Sequence, residues 1–519
     1  MGRKYWEGET FQLFKERMID SVSESFCAAK WYNATIWLGH GQTASCHHPP
    51  GHWIPLDELK ENFTAIHNTK HKKKMRKMMQ EGDRPAECEY CWKVEDMGRN
   101  NISDRVYKTE IFTDEDIIAA GDMPWDADVE LRTLEIAFDR ACNFKCSYCN
   151  PAFSSAWVKD INTYGAYQNI QSDGRGHFVD TAEWAKPIAD KEDNNPYIQA
   201  FWKWWESSLS DNLEEIRITG GEPIMHTGTW KLFDWFEKNP TRGRNMRFAI
   251  NSNLNPETNK VLDKMIEKSW HIPHFEIYTS AEAHGKGQEY IRDGMDYEFW
   301  KSNLHRIMRE SNVKKTNMMM TINSLCLDTI TDFMDDMLEF RKEYGRERAP
   351  VMSLNILRFP SFQSAAILPE HIKTHFKNKI EVWFNQDGLQ QQLHDGEKAQ
   401  IQRLIDYLDV VKTPHRNTAE TPKLYNDFKT FFTQYDIRRG KSFRDSFSPI
   451  FVEWFDSIEA DSPSAEDILS KRIVLNSTIS DHDPATMDEY EGGDDAHEQK
   501  KTVGGWDTET DSLGGVVVE

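Results

Sequence analysis

Six short apolar runs recur through the middle of the chain, at 134–138, 215–219, 247–252, 274–279, 316–323 and 351–357, with amphipathic stretches between them. Runs of this length, bounded by turn residues, read as strands, and the longer amphipathic stretches read as helices. The alternation predicts parallel βα units and an α/β domain over about residues 128–360. In such sheets chemistry gathers at the C-terminal ends of the strands.

The flanks differ from this pattern. An N-terminal module, about residues 1–110, has one strand-like run at 34–38, a turn at Gly39 and Gly41, and a helical pattern over 56–80 that ends in Lys70-His-Lys-Lys-Lys-Met-Arg-Lys77. A charge run alone reads first as a solvated helix face, with Met75, Met78 and Met79 turned to a core. Residues 361–461 carry apolar positions at helical spacing (Ile380, Trp383, Phe384; Leu404, Leu408) and predict a helical extension. Residues 462–519 are rich in Asp, Glu and Gly and predict a disordered acidic tail. Between 150 and 213 no strand pattern is visible, and Phe201-Trp-Lys-Trp-Trp205 reads as helix core.

At 519 residues the chain is long enough for two or three domains. A net charge of -22 argues against general nucleic-acid or membrane-surface binding, because a broad negative field repels phosphate. The N-terminal stretch lacks the apolar core of a signal peptide, and no apolar run reaches membrane-span length. These features predict a cytoplasmic protein without a membrane partner.

Eight cysteines are too few for a disulfide scaffold, and seven of them lie in groups before residue 150, as metal ligands do in a reducing compartment. Cys142, Cys146 and Cys149 fall at i, i+4 and i+7, directly after the run at 134–138. Thiolates select zinc or iron–sulfur clusters. Three thiols do not close a four-coordinate site, so this loop is either a zinc loop completed from elsewhere or a [4Fe–4S] cluster with one iron open. Earlier in the chain, Cys88 and Cys91 form a CxxC pair, and with Cys27 and Cys46 make four thiols. That complement suits a [4Fe–4S] cluster or structural zinc, with His47, His48 or His52 in reserve as zinc ligands. Cys326 reads as an ordinary buried thiol.

The CxxxCxxC spacing, with Tyr148 before the last cysteine, resembles the signature of the radical S-adenosylmethionine (SAM) superfamily. Thr219-Gly220-Gly221-Glu222-Pro223, about 75 residues on, resembles the motif that holds the SAM amino group. Ser280 at a strand end, with Arg292 twelve residues later, resembles the SAM-binding pair of the SPASM/twitch-type members; Glu282 stands where those members often carry Asp. Asn251-Ser252-Asn253 offers polar side chains suited to ribose hydroxyls, or reads equally as a plain polar strand end. Cys88-x-x-Cys91-Trp92 after Arg84-Pro85 is similar to a twitch-like module, here N-terminal.

Over about residues 25–360 the resemblance implies a partial (β/α)6 barrel, a [4Fe–4S] cluster on Cys142, Cys146 and Cys149, and SAM held by Tyr148, Gly220, Gly221, Glu222, Pro223, Ser252, Ser280 and Arg292. It further implies an auxiliary [4Fe–4S] cluster on Cys27, Cys46, Cys88 and Cys91. The implied chemistry is reductive cleavage of SAM to a 5′-deoxyadenosyl radical that removes a hydrogen atom. Electrons would come from a donor such as flavodoxin or ferredoxin, and the substrate would be a peptide or protein, with a sugar, nucleotide or small metabolite as alternative. A non-catalytic iron–sulfur protein or a zinc-stabilised binding protein are the readings from other classes.

Overall fold

The computed structural model describes residues 9–98, 101–172, 176–189, 191–410 and 421–470. The chain forms two compact units: residues 9–35 and 42–129 in the first, residues 36–41 and 130–470 in the second. Most of the acidic tail, from residue 471, lies outside the described residues. Its beginning, read from sequence as disordered, forms a short helix at Ala465–Ser470, anchored by buried Ile468.

Strand β1 (Asn33–Trp37) opens the chain's β-structure, and β2 (Gln42–Ala44) pairs antiparallel with β3 (His52–Trp53) in the first unit. The core of that unit collects Phe14, Trp31, Trp92, Phe112 and Ile117. The helical pattern at 56–80 is broken into Leu56–Glu61, a tight turn at Phe63–Ile66, and Lys70–Gln80. The last helix departs from the solvated-face reading. Met79 is buried, but so are Lys72 and Arg76, at the i and i+4 positions of the same face. Buried cations need partners. Lys72 donates to Thr43 Oγ1 (2.8 Å) and the Ala44 carbonyl (3.0 Å), and Arg76 to the carbonyls of Lys30 (3.1 Å) and Ala127 (3.2 Å).

The second unit is built on a sheet of β4 (Thr133–Ala137), β6 (Glu215–Thr219), β7 (Arg247–Asn251), β8 (His274–Ser280), β10 (Lys315–Ile322) and β11 (Val351–Ile356). These six pair parallel in that order, with β5 (Lys145–Cys146) and β9 (Arg292–Asp293) forming a separate antiparallel pair. All six runs expected as strands are strands. Ile136, Ile218, Ile250 and Ile277 stand in register on one face, all buried. Each contributes about 2 kcal/mol by leaving water. The other face carries Glu135, Arg217, Asn251, Tyr278, Ser280, Thr321 and Ser353, none of them buried. Arg217 lies over the Tyr278 ring at 4.3 Å and donates to its hydroxyl (3.1 Å). The apolar face makes the fold, and the polar face is available for chemistry.

The helical extension completes this unit. Helix Asp395–Val410 seals the β11 edge: Glu397 accepts from the Met352 N–H (2.7 Å) and Gln400 from the Leu354 N–H (2.6 Å). An edge left bare would invite pairing with another chain. Helix Pro196–Trp204 and the turn after it bury Phe201, Trp204 and Trp205, as expected for a core run. No described helix is long and apolar enough to cross a membrane.

Candidate functional site

The segment after β4 carries Cys142, Cys146 and Cys149, and three elements fix its shape. β5 pairs with β9, placing Cys146 opposite Arg292. Ser154 caps helix Ser155–Tyr164 at the Trp157 N–H (3.3 Å) and donates its own hydroxyl to the Phe144 carbonyl (2.6 Å). Trp157 Nε1 donates to the Cys146 carbonyl (3.0 Å). The helix that follows the cysteines therefore holds the loop that precedes it.

Burial pushes the three thiols up, Cys146 to about 11 and Cys149 to about 12; at Cys142 the neighbouring thiols of Cys146 and Cys149 and the Glu222 carboxylate add to the effect. At Cys146 the Arg292 guanidinium works the other way, with Nη1 4.0 Å from the sulfur.

Gly220 and Gly221 end β6 against this loop. Gly220 has φ +121° and a Cβ there would sit 2.8 Å from the Asp139 carbonyl; a Cβ on Gly221 would overlap the Ala141 carbonyl. Glu222 donates its own N–H to the Ala141 carbonyl (2.6 Å). Gly220 and Gly221, which the sequence placed in a SAM-holding motif, here admit the cysteine loop's own backbone. Pro223 then opens a tight turn, Pro223–Met225, in which Pro223 and Ile224 are buried.

The Glu222 side chain is 2% exposed. Its Oε1 accepts from Ser252 Oγ (2.8 Å) and the Ile224 N–H (3.3 Å), and its Oε2 from the Asn253 N–H (2.6 Å). Burial raises its pKa to about 7 in spite of these donors. A carboxylate has about four acceptor positions, so one remains for an ammonium group. Asn253 also donates from Nδ2 to Asn143 Oδ1 in the cysteine loop (2.8 Å). Ser252 and Asn253, read from sequence for ribose hydroxyls, hold the carboxylate.

Arg292 is placed beside the cysteines, but its fork is occupied. It reaches Glu282 through Nη2 (2.7 Å) and Nε (3.1 Å to Oε2), and Glu282 is fully buried. Tyr148 donates its hydroxyl to Glu282 Oε1 (2.9 Å), and its ring lies 5.5 Å from the guanidinium. Behind this, Asp293 gathers Lys145 (3.1 Å), Lys441 (3.2 Å) and buried Arg439 (3.4 Å). Ser280 ends β8 on the polar face, level with Met319. The roles of Glu282, Asn253 and Arg439 were missed from sequence. The Glu282 side chain, where the SPASM/twitch-type enzymes that the sequence resembles often carry Asp, was a signal, whereas the contact of Arg439, far along the chain, left none. Cys326 is fully buried, its sulfur 3.2 Å from the Asn323 carbonyl.

In the first unit, Cys27, Cys46, Cys88 and Cys91 line one cavity with Lys30 and Arg105. Burial raises all four thiols, Cys46 to about 12 and Cys88 to about 11. Lys30 is buried and paired with Glu87; burial opposes its charge, and the Cys88 thiol and Glu87 outweigh that and hold it protonated. Trp92 Nε1 donates to the Pro85 carbonyl (2.8 Å), closing the turn that carries the CxxC pair. Glu95 pairs with Arg105 (2.6 Å). Among the described residues, no three cysteine sulfurs lie within 4.8 Å of one another, in this group or around Cys146.

No family model matches this sequence, and no curated protein matches it. Among solved structures it is similar to anSMEcpe with bound AdoMet and a Cp18Cys peptide (12% identity, TM-score 0.28, 50% of this chain and 62% of that one). It is similar to Streptococcus suis SuiB bound to S-adenosylmethionine (12%, TM-score 0.30, 68% and 69%) and to TYW1 with a lysine–pyruvate adduct (15%, TM-score 0.24, 48% and 72%). The chain spans less than two thirds of the length of the first of these.

Proposed function

We propose that this protein is a radical SAM enzyme. The observation that carries the reading is the convergence, at the C-terminal ends of parallel strands, of a three-thiol loop with a buried carboxylate that keeps one acceptor position open. When a [4Fe–4S] cluster and SAM are bound, the chemistry they supply is reductive cleavage of the sulfonium to methionine and a 5′-deoxyadenosyl radical that removes a hydrogen atom from substrate. Cys142, Cys146 and Cys149 would hold three irons. Glu222 would receive the SAM ammonium, with Ser252 and Asn253 fixing its orientation. Gly220, Gly221 and Pro223 keep the carboxylate against the loop. Tyr148, Glu282 and Arg292 lock the loop's far side. Ser280, on the polar face, is free to meet the nucleoside or substrate.

The six parallel strands are read as a partial (β/α)6 barrel and residues 1–110 as a twitch-like module. Its four thiols would hold an auxiliary [4Fe–4S] cluster. One feature supports a cluster over zinc. Tetrahedral Zn–S bonds of about 2.3 Å put sulfurs roughly 3.8 Å apart, tighter than any cysteine trio here, whereas a cubane spreads its thiolates over four corners. The resemblance favours a peptide or protein substrate and a flavodoxin- or ferredoxin-like electron donor.

Iron, sulfide and zinc analysis of anaerobically purified protein tests the reading. Iron and sulfide for two cubanes are expected. One cubane with zinc would make the N-terminal site structural, and zinc alone after attempted reconstitution would overturn the enzyme reading.

A further inference from the structure

At the rim of the four-cysteine cavity lies a second group of ligand-type side chains that the radical SAM reading does not use. His47 and His48 follow Cys46 directly, and both turn Nε2 toward one carboxylate oxygen. His48 Nε2 is 2.6 Å and His47 Nε2 3.3 Å from Asp104 Oδ2. The ligand atoms of the three residues lie within 4.8 Å of one another, a spacing that no other group of His, Cys, Asp and Glu meets among the described residues. Ligands at about 2.0–2.1 Å around a tetrahedral ion are roughly 3.3 Å apart, so small side-chain adjustments bring the trio to that geometry.

The group is held in place. His48 stacks on Tyr90, ring centroids 3.9 Å apart and 15° from parallel. Asp104 opens the helix Asp104–Glu110, whose next residue, Arg105, is locked to Glu95. Two consecutive imidazoles, ring centroids 4.0 Å apart, share the Asp104 carboxylate. Two imidazoles and a carboxylate are a metal-ligand set.

We propose that His47, His48 and Asp104 form a binding site for a divalent cation of the zinc class. Imidazole and carboxylate together suit such borderline ions better than calcium or magnesium. His48 and Asp104 also line the four-cysteine cavity, whereas the His47 side chain is 58% exposed. Three protein ligands with an exposed side leave a coordination position open, the arrangement of a working site, not of a closed structural one. The ion would also tie the Cys46 loop to helix Asp104–Glu110. Lys108, on the same cavity wall, is the opposing charge. The site requires no SAM and stands or falls apart from the enzyme reading.

The test is zinc binding to the full-length chain, prepared anaerobically, by equilibrium dialysis with elemental analysis, together with zinc-edge X-ray absorption. Wild-type protein is expected to hold one more zinc than the His47→Ala variant, in a nitrogen/oxygen shell near 2.0–2.1 Å without sulfur at about 2.3 Å. His48→Ala and Asp104→Asn should weaken it by about tenfold or more. His47 is exposed, so its variant is not expected to unfold. Lys108→Gln should tighten binding severalfold, an effect misfolding does not imitate. Equal zinc in wild type and His47→Ala, a sulfur-only shell, or no zinc binding would each overturn the proposal.

Discussion

Cys146 faces Arg292 across the two-strand ladder of β5 and β9, and the Arg292 guanidinium returns to 4.0 Å from the Cys146 sulfur while gripping Glu282 with Nε and Nη2. The cysteine loop is thus clamped by backbone pairing on one side and by a buried ion pair on the other.

Removing one partner of that pair leaves a buried, uncompensated charge. Glu282→Gln is expected to lower stability by about 3–5 kcal/mol, read by urea denaturation. The double variant Glu282→Gln/Arg292→Gln should lose less than the sum of the two single changes. Additive losses would show that the pair does not act as a unit.

A side chain at Gly221 has no room beside the Ala141 carbonyl. Gly221→Ala should displace the cysteine loop, cost about 3 kcal/mol, and lower iron content. At Gly396, in the first turn of helix Asp395–Val410, a Cβ meets nothing within 4 Å. Gly396→Ala should leave iron unchanged and add up to about 1 kcal/mol. Equal iron in both variants would contradict the packing account.

Glu222 gives the pH dependence. Its folded pKa, about 7, stands above the ordinary 4.5. The stability it contributes is therefore full below about pH 4.5 and is lost as pH rises through about 7, a change on the order of 3 kcal/mol in the ligand-free protein. SAM binding should run the opposite way, tightening as pH rises through about 7, because the ammonium needs the carboxylate. Glu222→Gln should flatten the profile and weaken SAM binding by roughly tenfold or more, the worth of a charge-assisted hydrogen bond. Calorimetric titration across pH measures both; a wild-type affinity that does not change with pH would refute the role.

What the sequence could reveal divides along physical lines. The six strands were legible because each pairs one buried apolar face with one polar face, a period written locally in residues such as Ile216 and Ile218 beside Arg217. The thiols and Glu222 were legible by spacing. The buried pair of Lys72 and Arg76 was not, since burial of a charge depends on distant carbonyls such as those of Ala44 and Ala127. Nor was the duty of Gly221, which depends on the backbone of residue 141 packing onto it. Ser252 was placed correctly at a strand end, but its partner, a carboxylate thirty residues earlier, follows from the parallel register of β6 and β7.

The most direct test of the central claim is formation of 5′-deoxyadenosine from SAM by reconstituted, chemically reduced protein, in wild type and in Cys146→Ala. The account predicts deoxyadenosine and methionine from the wild type and neither from the variant. Deoxyadenosine formed equally by Cys146→Ala, or none formed by a wild type that carries its cluster and binds SAM, would contradict it.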